Sequence, residues 1–196
     1  MLVALTREVS PSLARCELTH LAREPIDVAR AVAQHAAYEA ALAGLGCTLV
    51  RLRAEPDLPD AVFVEDTAVV LDELAVVTRP GAESRRAETA SVARALGSYR
   101  TLRRIEPPGT LDGGDVLVAG RRVFVGRSRR SDPAGVAGLR GHLEPLGYAV
   151  ESVALGDCLH LKSAATLVAP DTLLANPSWT DPGAFRGLAV IEVDPA

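Results

Sequence analysis

A strand, strand, helix, strand pattern recurs along this chain at an interval of roughly 45 to 50 residues, and it restricts the possible folds more than any other feature. The clearest copy begins as "VFVEDTAVV", returns as "LAVVTRP", continues through the helix pattern "ESRRAETASVARALG" and ends as "YRTLRRIE". Units of this size cannot bury their apolar faces alone, so successive units must pack on one another.

Two further copies and one partial copy keep this order. The second copy runs from "GGDVLVAG" to "YAVESVAL", and the third runs from "HLKSAATLVAP" to "LAVIEVD" with a weak helix pattern near "DPGAFRG". The N-terminal copy has the strand "LVALTRE", an amphipathic helix from Asp27 to Gly44 and the strand "CTLVRLR". We predict a single α/β domain over residues 1–196, a pseudo-symmetric α/β propeller of ββαβ repeats.

Polar residues stand where the first strand of each unit begins. In a ring of blades, such residues converge on the axis and line a channel or pocket. A lone aspartate more often caps a turn, but the coincidence in three units favours a shared pocket. The residues are Asp60, Glu65, Asp66, Asp112, Asp115 and His160.

The composition is that of a globular protein, with 48% hydrophobic and 23% charged residues. This balance leaves little room for disorder. No apolar run approaches the roughly 18 residues that span a bilayer, and the first residues contain no secretory apolar region. We therefore expect a cytoplasmic protein without a membrane partner.

The formal net charge of −4 argues against a nucleic-acid partner. One local cluster is basic, and we interpret it as a solvated arginine-rich hairpin, with a polyanion site as the alternative. The cluster contains Arg121, Arg122, Arg127, Arg129 and Arg130.

The cysteines and histidines give no metal-binding pattern. Cys16, Cys47 and Cys158 are odd in number and form no CxxC pair, so we expect free thiols rather than disulfides or a zinc site. Metal-ligand spacing is also missing among the histidines, which are His20, His35, His142 and His160. We expect neither a metal nor a cofactor.

Five motifs occur in a fixed order: "PDAVFVEDTAVV", "TRPGAESRR", "LDGGDVL", "VFVGRSRR" and "HLKS". In these motifs the chain resembles the dimethylarginine dimethylaminohydrolases, which belong to the guanidino-group-modifying (amidinotransferase or pentein) superfamily. The resemblance runs through essentially the whole chain. It implies a propeller of five α/β repeats and a hydrolase that converts mono- or dimethylarginine to citrulline and an amine.

The resemblance also implies that His160 is catalytic and that Asp112 is its carboxylate partner. A carboxylate bonded to one imidazole nitrogen fixes the tautomer and favours the protonated ring. His160 could then act as general acid for the leaving amine and as general base for water. From the residues alone Asp115 could equally be the paired acid, and only the resemblance selects Asp112.

A set of substrate-binding residues follows from the same resemblance. Carboxylates suit a guanidinium, arginines suit an α-carboxylate, and the leucine lies in a lid loop. Surface salt bridges are the alternative for the arginines. Neighbours on a regular strand face opposite sides, so one of the two adjacent acids could instead hold an arginine or backbone. The set is Leu18, Asp60, Glu65, Asp66, Arg85 and Arg130.

Lys162 is the single lysine among the 21 basic residues. It follows His160 by two positions, so on a strand it would share the face of that histidine and add positive potential near the site. A surface lysine with a buried stem is the alternative.

The nucleophile that the resemblance requires has no evident counterpart. In the family a cysteine thiolate from the last repeat, in a stretch resembling "LTC", attacks the guanidinium carbon. Among the three cysteines here Cys158 is the best placed, but it is no natural substitute. Four repeats are visible where five are implied. We therefore expect a fragment, or a remaining blade supplied by another segment or a second copy, and an inactive chain on its own.

Two other functions stay open. One is a non-catalytic protein that binds guanidino ligands in the acidic pocket. The other is an arginine deiminase-like enzyme, in which an acid stands two residues after the catalytic histidine. Because Lys162 occupies that position here, the methylarginine enzyme is favoured.

Overall fold

The computed structural model describes residues 2–19 and 22–193, so His20 lies outside the described residues. The longer helices are α1 (Val28–Gly44), α2 (Thr89–Leu96) and α3 (Pro133–Leu143), and the short α4 is Leu161–Ala164. The strands are β1 (Val3–Arg7), β2 (Thr48–Leu52), β3 (Ala68–Val70), β4 (Leu74–Val77), β5 (Thr101–Arg104), β6 (Val116–Ala119), β7 (Arg122–Arg127), β8 (Ala149–Ala154), β9 (Ala165–Ala169), β10 (Thr172–Ala175) and β11 (Ala189–Glu192).

Three sheets share one topology. In the sheets β3-β4-β5, β6-β7-β8 and β9-β10-β11, the first strand pairs antiparallel with the second, and the second pairs parallel with the third. The partial N-terminal unit is the parallel pair β1-β2. This arrangement confirms the predicted α/β propeller of ββαβ repeats. The weak helix of the third full unit is a single 3-10 turn, Pro182–Ala184.

Helices α1 and α3 begin at capping aspartates. The Asp27 carboxylate accepts the backbone N–H of Arg30 at the start of α1. At α3 the Asp132 carboxylate accepts the N–H of Gly135, and Pro133 occupies the first turn. Both arrangements satisfy backbone donors that have no partner inside the helix.

The first strand of each full unit is shorter than its sequence pattern predicts. Short helical turns precede β3, β6 and β9, and we call them the central turns: Val64–Thr67, Gly113–Asp115 and α4. A Cβ atom on Gly113 would lie 2.0 Å from the carbonyl oxygen of Glu65, so the first two turns pack backbone against backbone. This close approach gathers the polar side chains of separate units at one place.

The hydrophobic core lies between neighbouring units. Val76, Leu111, Val125 and Leu139 belong to one fully buried cluster between the first and second full units. The next cluster contains Phe124 and Phe185, whose ring centroids are 5.1 Å apart. Each unit therefore covers an apolar face of the next, as the repeat requires. Within the described residues we find no helix with the length and apolarity needed to cross a bilayer.

Candidate active site

A cavity of about 640 Å³ opens beside the central turns. Asp112 and Asp115 do not line it and are fully buried. The other residues predicted for the site do line the cavity: Leu18, Asp60, Glu65, Asp66, Arg85, Arg130 and His160. The three units therefore do bring their polar residues together.

His160 lies at the centre of this group, directly before α4. Its ring packs on the backbone of Gly114, where a Cβ atom would come within 2.9 Å of two ring carbons. Its Nδ1 atom is 3.5 Å from Asp115 Oδ1. Its Nε2 atom is 3.6 Å from Asp66 Oδ1 and 3.9 Å from Asp112 Oδ2. Three carboxylates thus surround one imidazole.

These carboxylates set the protonation of the ring. Burial, the largest influence, lowers the pKa of His160, but Asp115 and the charges of Asp66 and Asp112 outweigh it. The net effect raises the pKa of His160 above 6.5. A histidine of this kind is available as a proton donor near neutral pH.

Asp112 is a buried acid with one hydrogen bond. Its Oδ1 accepts the backbone N–H of Gly81 at 2.9 Å, whereas its Oδ2 has no hydrogen-bond partner among the described residues. Burial, reinforced by the charge of Asp66, raises the pKa of Asp112 from 3.8 to about 6. The Gly81 N–H and the charges of His160 and Arg85 oppose this rise without cancelling it.

The raised pKa of Asp112 leads to a prediction of how the stability of the protein depends on pH. Because its pKa is raised in the folded state, its contribution to the free energy of unfolding is present below pH 3.8 and is lost as the pH rises to about 6. The loss is on the order of 3 kcal/mol. Asp112→Asn cannot release this proton, so urea unfolding should show a smaller fall in stability across that interval. His160 acts in the same direction above pH 6.5. Parallel curves for the two proteins would contradict the assignment.

Arg85 is held by protein groups on every side. Its guanidinium donates to the Asp66 carboxylate at 2.7 Å, to the Glu88 carboxylate at 2.9 Å and to the carbonyl oxygens of Asp60 and Phe63 at 3.3 Å. The sequence suggested that Arg85 binds a substrate carboxylate. In the structure its donors instead fix Asp66 beside His160. Asp66 is therefore the one of the two adjacent acids that holds an arginine, an alternative that the sequence left open.

Glu88, which the sequence analysis missed, should be important for stability. Glu88→Ala removes a carboxylate that is 1% exposed and leaves part of the Arg85 charge uncompensated. We expect a loss of about 3 kcal/mol, measured by chemical denaturation. Glu83→Ala is the control, because the Glu83 side chain is 88% exposed and pairs with Arg86 in the same 3-10 segment. Equal effects of the two substitutions would contradict this prediction.

The loop that carries Leu18 is tied across the cavity. The Asp60 carboxylate accepts the backbone N–H of Glu17 at 3.0 and 3.2 Å. Burial raises the pKa of Asp60, and the Glu17 N–H and the nearby arginines oppose this rise. The Arg130 guanidinium donates to the Thr19 hydroxyl at 2.8 Å. Two predicted binding residues therefore attach the predicted lid loop to the cavity wall.

Lys162 does not lie on a strand, so the expectation that it shares a strand face with His160 is wrong. It belongs to α4, and its Nζ atom bonds Glu65 Oε1 at 2.7 Å. Glu65 and Asp66 can both line the cavity because they lie on the central turn Val64–Thr67 rather than on a regular strand. Lys162 and the more exposed Glu65 form an ion pair at the cavity wall.

In the structure, two arginines of the basic cluster form ion pairs, and the cysteine predicted as best placed does not line the cavity. Arg121 pairs with Glu73 and Arg122 pairs with Glu151, which favours the solvated hairpin over a polyanion site. Cys158 does not line the cavity, although we ranked it first among the cysteines. Its thiol donates to the His160 carbonyl, and burial raises the pKa of Cys158, an effect strengthened by Asp115 and Asp157.

Cys16 is the cysteine that lines the cavity, because it lies in the same loop as Leu18. The sequence placed Cys16 in this lid loop, two residues before Leu18. Ser128 and Ser131 were missed. They flank the arginine pair in "GRSRRS", and their hydroxyls donate to Asp115. Their pattern resembles that of an ordinary polar loop, so no local signal distinguishes them.

Asp66, Asp112 and His160 also have donor atoms within 4.8 Å of one another, a spacing that would admit a cation. However, Asp66 already accepts hydrogen bonds from Arg85 and from the Gly114 N–H. Ion pairs within the protein therefore account for the arrangement, and the absence of a metal stays a prediction.

The fold and site define a hydrolase-type α/β propeller of the guanidino-group-modifying, or amidinotransferase, superfamily. No protein-family model matches the sequence. The chain is 45% identical over 179 residues to the N(G),N(G)-dimethylarginine dimethylaminohydrolase of Streptomyces coelicolor. The matched region covers 91% of this chain and 69% of that protein. This chain therefore belongs to the dimethylarginine dimethylaminohydrolase family, whose members are hydrolases acting on C–N bonds.

Solved structures of dimethylarginine dimethylaminohydrolases have the same fold as this chain. A variant of the Pseudomonas aeruginosa enzyme with serine in place of a cysteine, complexed with citrulline, superposes with a TM-score of 0.90 at 33% identity. A dimethylarginine dimethylaminohydrolase with glycine in place of a histidine, solved as an adduct with S-methyl-L-thiocitrulline, superposes with a TM-score of 0.91 at 32% identity. Each match covers 97% of this chain and 75% of the solved chain.

Proposed function

We propose that this chain supplies the substrate-binding and proton-transfer groups of an enzyme that hydrolyses mono- and dimethylarginine to citrulline and methylamine or dimethylamine. The observation that carries the proposal is an imidazole held between three carboxylates, beside an acidic cavity that also contains Arg130. The citrulline complex and the thiocitrulline adduct of the two relatives support the same ligand class.

The cavity has complementary groups for both ends of such a ligand. Glu65 and Asp66 offer carboxylate oxygens to a planar guanidinium, whose N–H donors they can accept. Arg130 suits the α-carboxylate better than Arg85, because among the described residues its guanidinium makes one side-chain hydrogen bond, to Thr19, whereas Arg85 is bonded on every side. Leu18 and its loop would cover the bound ligand.

His160 would serve both halves of the reaction. A thiolate adds to the guanidinium carbon, and the C–N bond to the methylated nitrogen breaks as His160 gives that amine its proton. The product is a thiouronium intermediate. Water then adds to the same carbon while His160 takes a proton from it, and the C–S bond breaks to release citrulline and the thiolate. The net reaction consumes one water and releases one amine.

We further propose that the attacking thiol comes from outside residues 1–196. Cys158 does not line the cavity, and burial raises the pKa of its thiol, which disfavours a thiolate. Cys47 does not line the cavity, and Cys16 lies in the lid loop. The longer chains of the relatives, and the cysteine replaced in the citrulline complex, fit this proposal.

Sheet topology supports the same proposal. Since second and third strands are parallel in each full unit, β1 and β2 correspond to a second and a third strand. Within the described residues no strand pairs with the other edge of β1. Helix α1 beside it leaves Val32 49% and Tyr38 56% exposed. A segment whose strand pairs antiparallel with β1 would complete the unit and bring the thiol.

Two measurements on the same samples test the proposal. Calorimetry should show that the 196-residue chain binds dimethylarginine, and product assays should show no citrulline or dimethylamine from it. Both products should form when the proposed segment is present. Binding without turnover by that longer protein would indicate a non-catalytic guanidino-binding protein. Turnover by the 196 residues that disappears in Cys16→Ser would show that the thiol was misplaced.

A further inference from the structure

Asp115 accepts more hydrogen bonds from described residues than Asp66 or Asp112, the other two carboxylates near His160. The sequence left its role open. It is fully buried. Its Oδ1 accepts the backbone N–H of Leu161 at 3.1 Å. Its Oδ2 accepts the hydroxyls of Ser128 at 2.5 Å and Ser131 at 2.6 Å. These three donors fix the carboxylate with Oδ1 facing the imidazole.

The two nitrogens of His160 face different acids. Nδ1 is buried, has no hydrogen bond of normal length to any residue that the structure describes, and lies nearest to Asp115. Buried ring nitrogens normally have a partner, and catalytic hydrogen bonds that are long without ligand often shorten when the ligand binds. Asp112 faces the opposite nitrogen, Nε2, and shares it with Asp66. The acids therefore have separate positions rather than competing for one.

The same two serines hold the loop that carries Arg130. Ser128 Oγ accepts the backbone N–H groups of Arg130 at 2.9 Å and Ser131 at 3.2 Å. Ser131 Oγ accepts the backbone N–H of Asp112 at 3.1 Å. The Ser128 hydroxyl thus joins the Asp115 carboxylate to the backbone of Arg130, and the Ser131 hydroxyl joins it to the backbone of Asp112.

We infer that Asp115 is a positioning residue that accepts Nδ1–H of His160, and that Ser128 and Ser131 couple this contact to the position of Arg130. The inference rests on the proposed function, because it assigns a role in orienting the imidazole for proton transfer through Nε2. Because the serines connect the two groups, a ligand carboxylate that fixes the position of Arg130 also fixes the orientation of the His160 ring. An orienting carboxylate on the second nitrogen of a catalytic or metal-binding histidine is a common arrangement.

The first test needs no substitution. Nitrogen chemical shifts of ¹⁵N-histidine-labelled chain report which ring nitrogen carries the proton, and a His160→Gln sample identifies the His160 signals. We expect the neutral ring to carry its proton on Nδ1. A neutral His160 with its proton on Nε2 would overturn the inference, and this result does not depend on any variant folding.

The second test compares substitutions. Asp115→Asn should lower the pH midpoint of the His160 titration and reduce the Nδ1-protonated fraction more than Asp112→Asn does. The groups facing this ring are Asp66, Asp112 and Asp115, so the two variants leave matched surroundings. Ser131→Ala, which keeps all three carboxylates, should also reduce the Nδ1-protonated fraction and weaken citrulline binding. Ser152→Ala, at an exposed position of β8, is the control and should change neither.

The outcomes separate this inference from the proposed function. If Asp112→Asn alters the Nδ1 signal and Asp115→Asn and Ser131→Ala do not, the inference is wrong while turnover of dimethylarginine stays possible. If the longer protein forms no citrulline but the Nδ1 signal responds to Asp115 and Ser131 as expected, the orienting contact stands and the proposed reaction is wrong.

Discussion

His160→Gln is expected to lower citrulline formation from dimethylarginine by about 10²- to 10⁴-fold in the longer protein, the range that a general acid and base contributes. The amide has neither a transferable proton near neutral pH nor a lone pair basic enough to take one from water. It still fills part of the space between Asp66 and Asp115. Dimethylarginine binding, measured by calorimetry, should therefore fall much less than turnover.

His142→Gln is the matched control for this substitution. His142 lies in α3 of the second full unit, bonds the carbonyl oxygen of Arg104 in β5 and is not one of the residues that line the cavity. Its replacement should leave the rate unchanged. Similar rate losses for the two histidine variants, or an unchanged rate with His160→Gln, would remove His160 from the chemistry.

Gly114→Ala should also suppress turnover, through geometry alone. The new Cβ atom would lie 2.6 Å from Asp66 Oδ1 and 2.9 Å from two ring carbons of His160, so both side chains must shift. A displacement of about 1 Å at a catalytic group can cost about 10²-fold in rate. We expect a loss of that order in kcat, with the nitrogen signals of His160 moving at the same time.

The control for Gly114→Ala is Gly141→Ala in α3, where nothing lies within 4 Å of the added Cβ atom. This second substitution should leave the rate unchanged and stabilise the helix slightly. An active Gly114→Ala protein with an undisturbed His160 would mean that the close packing of the ring on the glycine backbone is not needed for the reaction.

The alternation of apolar residues was sufficient to predict the repeat. The helix predicted from Asp27 begins there, and the three full units have one topology. The central turns were not predictable, because "VFVEDTAVV" has the composition of a continuous strand. Only the contact of Gly113 with the Glu65 carbonyl shows why the backbone turns there.

The site was predictable in membership and less so in its contacts. The pattern placed His160 and the acids at one axis, since each stands before a first strand. It could not show that the donors of Arg85 bond protein groups, because that depends on Glu88 and on backbone carbonyls brought together by folding. Nor could it show which acid faces which nitrogen of His160, since both flank the same pair of glycines.

Product release from dimethylarginine is the most direct measurement, with citrulline and dimethylamine followed together in the protein that contains this chain and the proposed thiol. We predict equal amounts of the two products, undiminished when Cys16, Cys47 and Cys158 are replaced by serine and lost in His160→Gln. A protein that binds dimethylarginine but forms neither product, or one that forms both without His160, would contradict the role assigned to the carboxylate-bound imidazole.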